Sequence, residues 1–475
     1  MSQEKKRWII PIGLLLFSIF LWITWLVANP TAIMLWYTSS AFGADGMLAG
    51  MPVQKFFLEM HQVLQILAII SIVVSLLTIL ATKYRPDYQL LTTVFAVATI
   101  FYAFSAIPWI KEQSGAPHYV YLADAFAHGR LALESEPVGS ADNDWTFYNG
   151  EWTVSFPPTP AILMVPFVAI WGKNFNDVIF TLLLAAFNVA LIYQLFGKIY
   201  FQEEKTLPEP ARLLLAIAFG VGTAHWWLAI SGNVWYTAHI VATTFLLAAL
   251  FETFGKRRLW IIMLFVGFAA LARPPIVFSL PVFLWFLRKE YTWKKMIVEM
   301  LPLAFLALSM AIYNFLRYDN PLEIGYHYMQ IEGVLAENLV KYGSFNLVYL
   351  KTNLYHAFLN APLWQTYFPY MFVDGLGLSI FISTPLVLYA FFAPWREKNT
   401  QMMGVAALLV ALPDLLYYNT GYFQVSYRYA LDFLPFLFVL IALSWRGRTP
   451  RLGVLLTGLS VLMGFFTWLS LTSYL

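Results

Sequence analysis

The sequence predicts an all-α polytopic membrane protein, on three observations. Of its 475 residues, 60% are apolar by type and only 12% are charged, against about 45–50% and about 25% in soluble chains. Mean hydropathy is +0.66. The apolar residues gather into runs near 20 residues, the length of helix that crosses about 30 Å of hydrocarbon. A soluble chain of this length would form two or three domains, each with a charged exterior, and 29 basic plus 26 acidic residues are too few for that. A soluble enzyme, a disordered chain and a nucleic-acid binder are excluded. The absence of cysteine removes disulfides, thiolate metal sites and a cysteine nucleophile.

In order, the runs predict spans at 9–27, 57–81, 89–109, 177–197, 212–230, 234–254, 259–272, 275–288, 296–316, 375–393, 402–419, 429–444 and 452–472, about 13 in all. The first follows Lys5, Lys6 and Arg7 and is longer than a signal-peptide core, so it reads as an uncleaved span. Segments 259–272 and 275–288 are two spans or one broken hairpin, because Arg273 precedes Pro274 and Pro275. Pro160–Gly172 is apolar but short, and is expected to lie on the interface.

Orientation follows from the basic residues. With the N-terminus inside, the short inside connections hold 20 of the 29 lysines and arginines, and the C-terminus falls outside. Five regions result: spans 1–3 over 1–109, a long outer loop at 110–176, central spans over 177–316, a second outer loop at 317–374, and C-terminal spans over 375–475. Segment 28–56, with Trp36, Tyr37 and Phe42, reads as interfacial. All seven histidines (His61, His118, His128, His225, His239, His327, His356) fall in outer loops or at outer span ends. Chemistry on that face is the functional reading; the plain alternative is that loops have room for polar groups.

Within the first loop, His118 to Gly129 reads as a helix, with Gly129 as its C-cap. Asp124 lies on it near His128 and Arg130, either as a functional carboxylate or as an ordinary exposed one. Asp142, Asp144 and Glu151 stand among Trp145, Tyr148 and Trp152, a mixture that suits sugar binding or an ordinary interfacial loop. Arg273, Arg317 and Arg428 stand at outer span ends, where guanidinium groups suit a phosphate or simply snorkel. Asp414 and Asp432 lie within spans and default to functional or paired. An Arg428–Asp432 pair at i, i+4 is the simpler expectation. There is no nucleotide loop, no H-E-x-x-H and no G-x-S-x-G, so a transferred group would arrive pre-activated.

Five stretches, in order, carry a resemblance: PHYVYLADAFAHGRL with FPPTPAILMVPFVAIWG, then LARPPIVFSLP, NFLRYDNPLEIGY, GLGLSIFISTPLVL and SYRYALDFLPFL. Over about 110–445 the chain resembles the GT-C membrane glycosyltransferases, near the family 39 branch of protein O-mannosyltransferases and lipid A aminoarabinose transferases. The resemblance implies a sugar donor on polyprenyl phosphate and a lipid, protein or glycan acceptor. It implies an early acidic base, inversion at the anomeric carbon, and a bacterial plasma membrane with the site outside. Relatives often read G-D-E-P-H-Y where this chain has Gly115-Ala116-Pro117-His118-Tyr119, so the acidic pair is absent. Asp124 and Glu112 are the substitute base candidates. Arg273, Arg317 and Arg428 are the donor-phosphate candidates, and His118, Tyr119, His239 and Tyr326 the pocket candidates. Neither metal nor cofactor is expected, and the Asn233–His239 connection carries no acid. The alternatives are a non-catalytic relative that binds or moves a lipid-linked glycan, and a secondary transporter.

Overall fold

The computed structural model describes residues 7–27, 47–48, 51–137, 139, 143–199, 206–366 and 370–472. Trp36, Tyr37, Phe42 and Asp142 lie outside the described residues. The protein is an all-α membrane protein: among the described residues seven helices are long and apolar enough to cross a membrane, or eight with one bent pair.

The N-terminal helices are α1 (Ile9–Val27), α2 (Val53–Tyr84) and α3 (Gln89–Ser105). Helix α2 packs on α1 and α3. One buried polar contact in this layer joins Ser18 Oγ of α1 to Ser75 Oγ of α2 at 2.9 Å, a device suited to a medium without water. Two short helices of the first loop follow, α4 (His118–Ala127) and α5 (Thr159–Trp171). Thirteen residues at 1.5 Å each give α5 about 20 Å, too little to cross. Its Ile170 and Trp171 are 73% and 57% exposed, in keeping with a helix lying on an interface.

The central helices are α6 (Asp177–Phe196), α7 (Glu209–Val221), α8 (His225–Ser231), α9 (Val234–Phe254), α10 (Leu259–Ala270) and α11 (Leu280–Leu287). Asn176 caps α6 by accepting from Ile179 N at 3.0 Å. The expected span 212–230 is α7 and α8 bent by 56°. Gly222 stands at the bend, where a Cβ would come within 2.8 Å of Ser460 Cβ; the close approach of the last helix requires glycine there. Helix α9 is buried along nearly its whole length and packs on α6, α8 and α10, so it forms the axis of the bundle.

After a two-turn helix at Trp293–Glu299 come α12 (Leu301–Tyr318), α13 (Gly333–Tyr342), α14 (Leu350–Phe358), α15 (Lys398–Leu415), α16 (Ala430–Trp445) and α17 (Arg451–Thr472). Helices α15 and α16 pack together, and α17 closes against α7. The run expected as a span at 375–393 is not one continuous helix. It begins with Gly375 and Gly377, both at φ +83, followed by a four-residue helical turn at Ile380–Ser383 and a 3-10 segment at Pro385–Phe392. Thr384 is held at φ −134, ψ 70, out of helix, as a residue before proline tends to be.

The two long loops meet at one end of the bundle. Strands Thr146–Tyr148 and Glu151–Thr153 pair antiparallel around Asn149-Gly150, at φ +49 and +83, the conformation a tight hairpin turn demands. Thr146 also pairs with Met329 of the second loop, and Gln330 N donates to Trp145 O at 2.7 Å. The first loop is tied to α9 as well, by Val234 N donating to Ala116 O at 3.0 Å.

Candidate functional site

Where the two loops sit on the helix ends there is a cleft lined by Tyr119, Asp144, Trp235, His239, Arg273, Tyr326, Tyr417, Tyr418, Arg428 and Tyr429 among others. Each wall is set by local chain geometry. Pro274 keeps Arg273 extended, at φ −139 and ψ 98, at the end of α10. From there its guanidinium reaches two helices: Nε donates to Asp432 Oδ2 at 2.8 Å, and Nη2 to Asp414 Oδ1 at 3.2 Å. Asp432 Oδ1 lies 2.7 Å from His239 Nδ1. One charge cluster therefore joins the end of α10, the second turn of α9, the last turn of α15 and the first turn of α16.

This corrects the expected Arg428–Asp432 pair. Asp432 is held by Arg273 and His239, while Arg428 precedes α16 and its side chain turns the other way. Arg428 Nη1 donates to Tyr422 O at 3.2 Å and Nη2 to Tyr429 Oη at 3.4 Å. Its Nε is buried with no hydrogen-bond partner. Among the described residues no carboxylate lies within ion-pair distance of it. The ring of Tyr429 stands beside both guanidinium groups, 5.0 Å from that of Arg273 and 5.2 Å from that of Arg428.

Segment 419–428 passes over this cluster as a strap. It is fastened at several points: the Phe423 carbonyl accepts from Trp227 Nε1 at 3.0 Å and from Tyr236 Oη at 2.6 Å, Gln424 N donates to Gly375 O at 3.1 Å, and Leu378 exchanges backbone hydrogen bonds with Val425 and Tyr427. Opposite the arginines, the first loop contributes Asp144. Its backbone is left-handed at φ +59, a conformation that costs a non-glycine residue energy and concentrates at working sites. Trp235 Nε1 donates to Asp144 Oδ2 at 2.7 Å and so orients the carboxylate. Burial pushes the Tyr326 hydroxyl up to about 12 and raises that of Tyr119, so both stay protonated as donors.

Of the residues singled out in the sequence, the cleft brings together Arg273, Arg428, His239, Tyr119 and Tyr326. It does not include Arg317, His118, Asp124 or Glu112. Arg317 is buried elsewhere, donating from Nη1 to Val154 O at 2.6 Å and from Nη2 to Asn314 Oδ1 at 3.1 Å. Its guanidinium also stacks 3.7 Å from the Tyr313 ring, so the three arginines do not share one site. His118 stacks on Trp145 at 3.7 Å, and its Nε2 lies 2.8 Å from Asn143 O, just behind the lining. Asp124 faces a separate cluster, 3.6 Å from Arg130 and 3.8 Å from Lys173, and Glu112 is exposed.

Sequence reasoning missed Trp235, Tyr417, Tyr418 and Tyr429, and grouped Asp144 with neighbouring acids without separating it from them. Inside apolar runs, aromatic residues give no signal that distinguishes a cleft wall from a packed core. The trace that was present is the density of tyrosines in 417–429, five in thirteen positions. Among the described residues, no three His, Asp or Glu groups are arranged to hold a metal ion. No known family model matches the chain, and neither a curated protein nor a solved structure does.

Proposed function

We propose that the cleft transfers a sugar from a polyprenyl phosphate donor to an acceptor on the outer side of a bacterial plasma membrane, in a GT-C-like chain of about 13 crossings. One observation carries the reading: a buried guanidinium that has no carboxylate partner among the described residues, Arg428, shares an aromatic-lined cleft with an oriented carboxylate, Asp144. Arg273 is already shared between two carboxylates, so Arg428 is the cation with capacity for a phosphate. The rings of Trp235, Tyr326 and Tyr418 offer flat faces for a pyranose.

In this reading Asp144, not Asp124 or Glu112, takes the proton from the acceptor hydroxyl. The acceptor oxygen bonds to the anomeric carbon from the face opposite the phosphate. The carbon–oxygen bond to phosphate breaks, its electron pair leaves with the lipid phosphate, and configuration inverts. Arg428 stabilises the charge that grows on the departing phosphate, and the transition state is oxocarbenium-like.

The experiment uses purified protein in nanodiscs with lipid-linked sugars, following release of polyprenyl phosphate. Turnover lost in Asp144→Asn, with lipid phosphate still bound, supports the assignment. Turnover retained in that variant overturns Asp144 as base. Binding without turnover in the wild-type chain would favour the non-catalytic reading, and absence of binding would remove the proposal altogether.

A further inference from the structure

Helix α14 and the chain on either side of it have their polarity reversed. The buried side of this stretch carries Asn353, Ala357 and Asn360, exposed by 1%, 0% and 5%. Asn353 Nδ2 donates to Leu415 O at 3.0 Å and Tyr417 O at 2.8 Å, its Oδ1 accepts from Thr420 Oγ1 at 2.8 Å, and Asn360 Nδ2 donates to Gly377 O at 2.7 Å. The outward side carries Leu347, Leu354, Tyr355 and Leu359, exposed by 75%, 38%, 49% and 67%. In water the arrangement would be the opposite, apolar in and amide out. Amides that satisfy backbone carbonyls internally, with leucines outside, are what a hydrocarbon surrounding favours.

A second, independent observation says what covers this face. On α15, Leu408 and Leu412 are 72% and 52% exposed, one turn apart on the outer side of an apolar helix. The next residue of that row is Leu416, whose carbonyl accepts from Asn346 N at 2.9 Å. Phe345, 55% exposed, pairs with Tyr417. The outward face of α15 thus runs without a break into 345–347 and along α14. Lys351 stands on the same stripe, and Trp364 beyond it is 77% exposed, the residue types that anchor at a membrane interface.

We propose that residues 345–364 form a membrane-inserted segment, with the stripe Leu347–Leu354–Leu359 seated among the acyl chains of the surrounding bilayer. The proposal stands apart from the transferase reading. Because Tyr417 and Tyr418 line the cleft and are paired to this segment, it places one wall of the cleft at lipid depth.

The chain's lack of cysteine makes the test clean. Spin labels are attached to Leu347→Cys, Leu354→Cys and Leu359→Cys in nanodiscs, with Leu408→Cys as the lipid reference and Glu151→Cys as the aqueous one. Collision with oxygen and with a water-soluble nickel chelate is measured for each. The oxygen-to-nickel ratio at all three positions is expected to match Leu408→Cys and to exceed Glu151→Cys severalfold. A ratio like that of Glu151→Cys places the stripe in water and overturns the proposal. Protection from both quenchers means that protein, such as a second copy of the chain, covers the face, and overturns it equally. Three separate positions keep the result readable if one variant fails to fold.

Discussion

Replacing Arg273 by methionine removes the cation that bridges Asp414 and Asp432 while keeping most of the side-chain volume. The guanidinium lies 3.2 Å and 2.8 Å from the two carboxylates and is 17% exposed. At an effective dielectric near 20, a unit pair at such range attracts by about 4 kcal/mol, and desolvation offsets part of that. His239 still contacts Asp432 after the change, whereas Asp414, whose Oδ2 has no hydrogen-bond partner among the described residues even in the wild-type chain, is left without its cation. Arg273→Met is therefore expected to cost about 3–5 kcal/mol, the usual result of breaking one side of a buried pair. The triple variant Arg273→Met/Asp414→Asn/Asp432→Asn, which removes the stranded charges too, should regain most of it. Tryptophan-fluorescence unfolding in one detergent would read both. A triple variant no more stable than the single one would refute the claim that stranded charge, rather than lost packing, sets the cost.

Arg428→Met should weaken binding of polyprenyl phosphate about 10- to 100-fold, the loss of about 1.5–3 kcal/mol of charged hydrogen bonding, as measured by calorimetry in nanodiscs; unchanged affinity would place the phosphate elsewhere. Asp124→Asn should lower stability by about 1–2 kcal/mol through its contacts with Arg130 and Lys173 and leave turnover intact, so a folded but inactive variant would return the base to Asp124. His118 supplies a pH dependence. Burial pushes its imidazole down to about 4, with backbone contacts to Asn143 and Ala116 opposing in part, against about 6.5 when unfolded. Its contribution is complete above pH 6.5 and falls by up to about 3 kcal/mol as the pH drops toward 4, because only the unfolded loop takes up the proton. Protection factors over 116–125, which divide out the base-catalysed intrinsic rate, should be lower at pH 5 than at pH 7.5 in the wild-type chain but not in His118→Phe.

Hydropathy located the helices because apolar length is a property of the chain alone. Ile9–Val27, Asp177–Phe196, Val234–Phe254 and Arg451–Thr472 follow the expected limits within a few residues. Helix continuity was lost where backbone chemistry interrupted an apolar run: at Gly222, where 212–230 is bent but remains a candidate span, and at Gly375, Gly377 and Pro385, which break 375–393. The site was half legible. Arg273 and Arg428 stood out as charges beside apolar runs, and His239 as a histidine within one. That Asp432 chooses Arg273, 159 residues away in sequence, over Arg428 four residues before it depends on the tertiary meeting of α16 with the segment that follows Arg273. Asp144 was visible only as one acid among several, since nothing local announces the Trp235 hydrogen bond that singles it out.

The doubly used carbonyl of Phe423 has a genetic corollary. Two helices hold the strap through main-chain oxygen, so no replacement of the side chain at 423 deletes the anchor. Alleles that loosen this contact should map to Trp227 and Tyr236, and should be mild even together, because Gln424, Val425 and Tyr427 also hold the strap to 375–378 through the backbone. Random mutagenesis would then leave this fastening point itself looking dispensable.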